Sequence, residues 1–232
     1  MEERPKPLQR PVLVIGGYLD FGVTPSLVRS ELRALTDDDR IAPVALFDCG
    51  DFDDCREKVI AAVDRAFPNN DPEFTTPVDV IGVSMGGIAA RYAAAPDPSG
   101  KSHRRLKIAR LFTISSPHQG AVAAAFPSFH KLVWQMRHGS DFLGSLEQAR
   151  CNCGYEIYPY VRLNDGWVGE SNAAPPGQVP WWVPNPILQG SHLGAAADPR
   201  ILADIARRLR GEEPFTRGAP APLPGSVEGT HG

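Results

Sequence analysis

The sequence predicts an α/β protein in which a compact, mostly parallel sheet of about six strands is covered by helices on both faces. Short apolar runs alternate with helix-like segments along the chain, which is the order of a parallel sheet with crossover helices. One of these runs, Val78–Val83, ends in a Gly-x-Ser-x-Gly segment and passes directly into helix-like sequence. A chain of 232 residues is long enough for one well-buried core.

The individual elements follow from periodicity and from turn residues. Continuous apolar runs, typical of buried parallel strands, lie at 11–15, 44–47, 78–83 and 110–114. Helical spacing of apolar residues marks helices at 26–35, 51–67, 88–95 and 199–209. A further short strand ends at 161–163, and another, at 187–189, leads into the segment that contains His192.

Three stretches determine the domain organisation. We expect residues 1–210 to form a single domain. Within it, 121–150 is a helical insertion between the fourth and fifth strands, and it is either a cap over the active site or an ordinary set of crossover helices. The stretch 175–186 reads as a loop whose Trp181 and Trp182 either wall a pocket or serve core packing or an oligomer contact. We expect residues 211–232, which are rich in Gly, Pro and Glu, to be a disordered tail.

Composition and charge exclude several classes of partner. Hydrophobic residues at 42%, charged residues at 22% and a net charge of -3 with scattered Lys and Arg describe an ordinary soluble protein and no nucleic-acid surface. The start of the sequence has no apolar stretch and no run is long enough for a membrane span, so we expect a cytoplasmic protein. Four cysteines, at 49, 55, 151 and 153, favour free thiols, with a Cys49–Cys55 bridge as the alternative.

Ser84 is the candidate nucleophile. It stands between Gly82 and Gly86, and a serine in a sharp strand-to-helix turn needs such small neighbours because its own backbone is strained. The turn also places Ser84 at a helix N-terminus, where the backbone N–H of Met85 can face a developing oxyanion. A merely structural turn is the alternative interpretation.

A serine nucleophile needs an imidazole base that is oriented by a carboxylate. When the order is Ser, then acid, then His, the base is His192, since His231 lies in the expected tail. The acid is Asp165, in an Asn-Asp-Gly triplet after a strand, with Asp141 in the helical insertion as the weaker rival. Asp198 follows the histidine and is out of order.

A second oxyanion donor is expected from the loop after the first strand. Gly16 and Gly17 allow a close backbone approach there, and the N–H of Tyr18 is the predicted donor beside that of Met85. His118 ends the fourth strand but precedes Asp165, and we therefore assign it a structural role.

The chain resembles the small lipases and esterases of the α/β-hydrolase superfamily from about residue 12 to residue 209. The segments that carry the resemblance are Ile-Gly-Gly-Tyr, Gly-Val-Ser-Met-Gly-Gly-Ile-Ala-Ala-Arg-Tyr, Ser-Ser-Pro-His-Gln-Gly, Asn-Asp-Gly-Trp-Val and Gly-Ser-His-Leu, in this order. The resemblance implies an α/β-hydrolase fold, a triad on Ser84, Asp165 and His192, and oxyanion donors on Tyr18 and Met85.

Two features depart from the family pattern. Many relatives have His-Gly in the oxyanion loop where this chain has Gly16-Gly17. Only about eleven residues precede the first strand, so we expect the two leading strands of larger members to be missing.

The resulting hypothesis is a serine hydrolase that cleaves carboxylic esters through an acyl-enzyme intermediate, with no cofactor and no metal. The expected substrate is a small-molecule or lipid ester, with transient contact to a lipid surface if it is a lipid. The same triad serves acyltransferases, thioesterases and amidases, and these remain alternatives. A non-catalytic hydrolase fold that binds a ligand, or a scaffold that assembles through its Trp-rich loop, is the alternative outside enzymes.

Overall fold

A computed structural model describes residues 6–97, 100, 103–150, 153–186 and 189–225. Within these residues six strands form one sheet in the order β2-β1-β3-β4-β5-β6, and all five pairings are parallel. The strands are β1 (Val12–Ile15), β2 (Ile41–Val44), β3 (Val78–Val83), β4 (Ile108–Ile114), β5 (Glu156–Arg162) and β6 (Trp181–Val183). The predicted six-stranded parallel sheet is therefore confirmed.

Seven helices connect or flank the strands in the described part of the chain. They are α1 (Val23–Thr36), α2 (Phe52–Ala66), α3 (Met85–Ala94), α4 (Lys131–Gln135), α5 (Asp141–Arg150), α6 (Ser191–Ala195) and α7 (Pro199–Leu209), with short 3₁₀ turns at Val122–Ala125 and Glu170–Ala173. Asp51 begins α2 by accepting the N–H groups of Asp53 and Asp54, as an N-cap should. None of these helices is both long and apolar enough to cross a membrane.

Helices cover both faces of the sheet because its central strands are apolar on both sides. Alternate residues of β1 face opposite ways, so Leu13 belongs to the cluster formed with α2, α3 and the 121–150 insertion. Val12 and Val14 belong to the other cluster, which α1 and α7 complete. All four residues of β1 and all six of β3 are buried, and neither strand lies at an edge of the sheet.

Two strand predictions need correction. The second strand is Ile41–Val44 rather than 44–47, and it contains Pro43, which a sheet tolerates on an edge strand such as β2. The stretch 175–186 is not all loop, since Trp181–Val183 pairs with β5 as the opposite edge strand β6. Pro residues on both sides of this short strand hide it from periodicity arguments.

The C-terminal segment 211–225 contains no helix or strand, but it is held to the domain. Thr216 donates its backbone N–H to Asp204 Oδ1 at 2.8 Å, and the Trp182 indole N–H donates to the carbonyl of Ala221 at 3.0 Å. His231 lies outside the described residues, as do Ile187 and Leu188 of the expected strand before His192. The division into one domain and a disordered tail stays a prediction.

Candidate active site

Ser84 lies in a strained turn between β3 and α3. Its backbone has φ 51° and ψ -125°, a positive-φ conformation that non-glycine residues rarely adopt. A side chain on Gly82 would come 2.4 Å from the Cα of Gly87, and one on Gly86 would come 2.4 Å from the carbonyl oxygen of Ile15. The glycines are therefore required because the turn packs directly onto itself and onto the end of β1.

His192 lies within hydrogen-bonding distance of both Ser84 and Asp165. The Ser84 hydroxyl is 3.0 Å from His192 Nε2, and His192 Nδ1 is 2.9 Å from Asp165 Oδ2. An ionised carboxylate can only accept, so Nδ1 carries the proton and Nε2 is free to accept the proton of Ser84. The three residues that were predicted from their order in the sequence are thus brought together, although Ser84 and His192 are 108 positions apart.

The turn that carries Asp165 fixes its carboxylate. Asp165 Oδ1 accepts the backbone N–H groups of Trp167 and Val168, both at 3.1 Å. Burial acts to raise the pKa of Asp165, but the hydrogen bond and charge of His192, together with the Val168 N–H, outweigh it and leave the pKa below its ordinary value. Asp165 is consequently ionised at neutral pH. Its rival Asp141 is exposed at the start of α5 and lines a different surface depression.

His192 was expected in a loop, but it lies in the five-residue helix α6. The Ser191 hydroxyl bonds to the carbonyl oxygens of Arg162 and Leu163, at 3.0 and 2.8 Å, and so fastens the start of α6 to the end of β5. Asp198, the out-of-order acid, instead pairs with buried Arg162 at 2.7 Å. Although burial acts to raise the pKa of Asp198, hydrogen bonds from Arg200 and Arg162 lower it to about 2.

The expected oxyanion donors lie beside Ser84. Met85 is the first residue of α3, directly after the nucleophile. The loop after β1 approaches so closely that a side chain on Gly17 would stand 3.1 Å from Ser84 Cβ and 3.6 Å from its hydroxyl. Tyr18 follows Gly17 in this loop, and its ring packs edge-on against His130. Met85 is therefore adjacent to Ser84 in the chain, and the Gly17 backbone that leads into Tyr18 is close to Ser84 in space.

A cavity of about 610 Å³ opens beside Ser84 and His192. Its walls are mainly apolar, and one side is built by Ala121, Ala123, Ala124, Val133 and Met136 of the insertion. The insertion thus lines the site, and sequence reasoning did not identify these individual wall residues. Trp181 and Trp182 are not among the lining residues: Trp181 stacks on Tyr158 and Tyr160, and Trp182 packs against the small apolar cluster around Val161.

Trp167 is a site residue that sequence reasoning passed over. Its indole stacks on the His192 ring, with 5.0 Å between ring centroids and 23° between the planes, and it also lines the cavity. The only signal in the sequence is its place two residues after Asp165, in Asn-Asp-Gly-Trp.

His118 is a buried structural residue, as expected. Arg91 donates to its Nδ1 and its Nε2 contacts the Thr113 hydroxyl, both at 3.0 Å, so the ring links α3 to β4. Burial, followed by the charges of Arg91 and Arg150, lowers the pKa of His118 well below its ordinary value. The ring is therefore neutral and lies apart from the triad.

Cys49, Cys55 and Cys153 carry free thiols, and Cys151 lies outside the described residues. Among the described residues, no cluster of three or more His, Cys, Asp or Glu side chains is arranged to hold a metal ion.

Solved structures share this arrangement of sheet and helices. The chain is similar to the mature lipase BlEst2 of Bacillus licheniformis, with a TM-score of 0.59 and 17% identity over 84% of this chain and 89% of that one. The chain has the α/β-hydrolase fold. The Aspergillus fumigatus lipase B gives the same TM-score of 0.59 at 17% identity, over 88% of this chain and 53% of that one. The esterase domain of a Rhodothermus marinus protein gives 0.50 at 17% identity, over 90% and 88%.

Sequence comparisons add one family. Residues 53–139 match the model of the PGAP1-like alpha/beta domain, and this segment includes β3, Ser84 and α3. No curated protein matches the chain in a sequence search. At 17% identity and less the structural relatives establish the fold, and the activity has to be argued from the site itself.

Proposed function

We propose that the protein is a serine hydrolase that cleaves carboxylic esters through an acyl-enzyme intermediate. The observation that carries this proposal is the continuous hydrogen-bonded chain from Ser84 through His192 to Asp165 at the wall of an apolar cavity. A serine hydroxyl on a strained turn is activated by a neutral imidazole that carries its proton at Nδ1 and by an ionised acid that accepts this proton's hydrogen bond.

In the proposed mechanism, His192 Nε2 takes the proton of Ser84 as the hydroxyl oxygen attacks the ester carbonyl. The N–H groups of Met85 and Tyr18 stabilise the oxyanion of the tetrahedral intermediate, and the N-terminus of α3 adds its dipole. His192 then protonates the leaving alcohol, and water releases the acyl group by the same steps in reverse. Asp165 stays ionised and holds the tautomer of His192.

The cavity favours an ester with an apolar acyl group, whether of a small molecule or a lipid. Besides His192, the ionisable side chains that line it are Tyr18 and Asp20, and the Asp20 carboxylate already accepts the N–H groups of Gly22 and Thr24. Exposed apolar side chains surround the opening, namely Leu19, Phe21, Val23 and Leu193, which are 54 to 73% exposed. A rim of this kind supports transient contact with a lipid surface.

The direct test is hydrolysis of p-nitrophenyl esters from acetate to palmitate. We expect turnover by the wild type, and no turnover above background by Ser84→Ala. Ser30→Ala, at an exposed serine of α1, is the matched control and should retain full activity. Equal rates for the wild type and Ser84→Ala would refute the proposal, and the chain-length profile separates an esterase from a lipase.

The alternatives on the same triad give different results. A thioesterase or amidase would prefer an acyl-CoA analogue or an anilide over the matching ester, and an acyltransferase would make a new ester when an alcohol acceptor is added. A binding protein of this fold would not react with a fluorophosphonate. Covalent labelling of the wild type that is lost in Ser84→Ala would exclude the non-catalytic alternative and the scaffold.

A further inference from the structure

The indole of Trp167 stacks on the imidazole of His192 at the wall of the cavity. The ring centroids are 5.0 Å apart and the planes differ by 23°. Trp167 is itself 56% exposed, whereas His192 is only 8% exposed. A large exposed aromatic ring is thus stacked on a largely buried imidazole, and both rings line the cavity.

The same residue also contacts the acid of the triad. The backbone N–H of Trp167 donates to Asp165 Oδ1 at 3.1 Å, and Asp165 Oδ1 and Oδ2 lie 3.1 and 2.9 Å from His192 Nδ1. The imidazole is therefore held at one nitrogen by Asp165, faces Ser84 with the other nitrogen, and is covered on one face by the indole.

We propose that Trp167 is a positioning residue for His192, which holds the imidazole plane in line with Ser84 and stabilises the imidazolium that forms when His192 takes the serine proton. The inference rests on the proposed function. The negative face of an indole within about 6 Å of a cation attracts it electrostatically, and Trp is the strongest such partner. The positive charge of His192 is then balanced by the Asp165 carboxylate at the edge of the ring and by the indole at its face.

The size of the effect follows from typical aromatic and cation–π interactions. Such contacts correspond to a change of roughly twofold to thirtyfold in an equilibrium or rate, and we expect about a tenfold loss in kcat when the ring is removed. A side-chain substitution at 167 keeps the backbone N–H that holds Asp165. The experiment therefore isolates the indole from the turn that carries it.

The variants are Trp167→Phe, Trp167→Leu and Trp167→Ala, measured on p-nitrophenyl acetate, whose short acyl group makes the least use of the cavity wall. We expect kcat to fall about tenfold in the Leu and Ala variants with KM changed by less than about twofold, and Phe to recover most of the loss. Trp134→Leu, at a second exposed tryptophan that is 51% exposed and does not line the cavity, is the matched control and should keep full activity.

A second measurement asks whether the effect passes through His192. The rate of covalent labelling by a fluorophosphonate is compared for Trp167→Leu in the wild-type and His192→Ala backgrounds. A loss that disappears when His192 is absent supports positioning. An equal loss in both backgrounds, a raised KM with unchanged kcat, or a Phe variant no better than Leu would overturn it and assign Trp167 to substrate contact.

The two proposals fail in different ways. If Ser84→Ala and the wild type hydrolyse p-nitrophenyl esters at equal rates, the proposed function fails, and with it the role of Trp167 in catalysis. If Ser84→Ala is inactive but Trp167→Leu has the activity and the labelling rate of the wild type, only the present inference fails. The melting temperatures of the Trp167 variants should match that of the wild type, because the side chain is more than half exposed.

Discussion

Replacing Asp165 with Asn tests the proposed triad at its acid. Asp165 Oδ1 accepts the N–H groups of Trp167 and Val168 at 3.1 Å, and an amide can keep both bonds only by placing its oxygen there. Its NH₂ group then takes the position of Oδ2, which lies 2.9 Å from His192 Nδ1. Because an amide NH₂ can only donate, His192 must accept at Nδ1 and carry its proton at Nε2, facing Ser84.

In that tautomer His192 cannot take the proton of Ser84. A wrong-tautomer base of this kind lowers kcat by about 10⁴-fold, which corresponds to about 5.5 kcal/mol of barrier. The amide is nearly the same size as the carboxylate and keeps the backbone bonds, so the free energy of unfolding should change by only about 1 kcal/mol. The prediction is thus a large loss of rate in a folded protein.

The assay is the rate of p-nitrophenyl acetate hydrolysis together with the melting temperature. Nitrogen NMR of the His192 ring gives an independent measurement, since the proton should move from Nδ1 to Nε2. Asp141→Asn, which alters the rival acid on the exposed start of α5, should leave the rate unchanged. A loss smaller than about tenfold for Asp165→Asn, or a comparable loss for Asp141→Asn, would refute the assignment.

Three further substitutions probe the buried ion pair of Asp198 and Arg162, the turn around Ser84 and the cavity. The pKa of Asp198 is lowered to about 2 in the folded protein, so its ionised form stabilises the fold above its unfolded pKa near 4, and about 2 kcal/mol of the free energy of unfolding should be lost as the pH falls from 4 to 2. Asp198→Asn should remove this loss from acid unfolding curves. It should also destabilise the protein at pH 7, because Arg162 loses its carboxylate partner. Gly86→Ala would bring a Cβ to 2.4 Å from the Ile15 carbonyl, so activity should be abolished and thermal stability should fall by several degrees. Ala123→Phe should fill the cavity from an exposed position and reduce hydrolysis of long p-nitrophenyl esters far more than of the acetate.

Each of these substitutions has a matched control. Gly144→Ala, in α5 with no heavy atom near the new Cβ, should instead stabilise the protein by about 1 kcal/mol. Ala125→Phe, which is exposed but does not line the cavity, should leave the chain-length profile unchanged. Asp39→Asn, at an exposed ion pair with Arg33, should preserve the acid unfolding curve. A control that behaves like its partner variant would contradict the corresponding argument.

The central strands of the sheet could be predicted because burial on both faces leaves an unmistakable pattern. β1 and β3 are continuous apolar runs between turn residues, and the structure confirms them. The edge strands carry less information, since one side of an edge strand makes no ladder and tolerates Pro43. The position of β2 was therefore wrong by three residues, and β6, with only Trp181–Val183, was missed.

The residues of the candidate triad could be predicted because chain order limits the choice so strongly. Once Ser84 is placed in a strand-to-helix turn, only Asp165 and His192 combine the right order with positions near strand ends. The helix α6 around His192 was not foreseen, because five residues are too few to show a helical period. The stack of Trp167 on His192 depends on the distance between the turn after β5 and the helix α6, and no local pattern in the sequence encodes such a distance.

The turn Asp165-Gly166-Trp167-Val168 contacts His192 both at the edge and at the face of its ring. Two of its N–H groups donate to the Asp165 carboxylate, the carboxylate contacts His192 Nδ1, and the indole of the same turn stacks on the His192 ring. On the other side of His192, Ser191 ties α6 to the end of β5, the strand that delivers the turn. We therefore expect Asp165 and His192 to shift as one unit relative to Ser84, so that a displacement of this unit changes the distance between His192 and Ser84 while leaving that between His192 and Asp165 nearly constant.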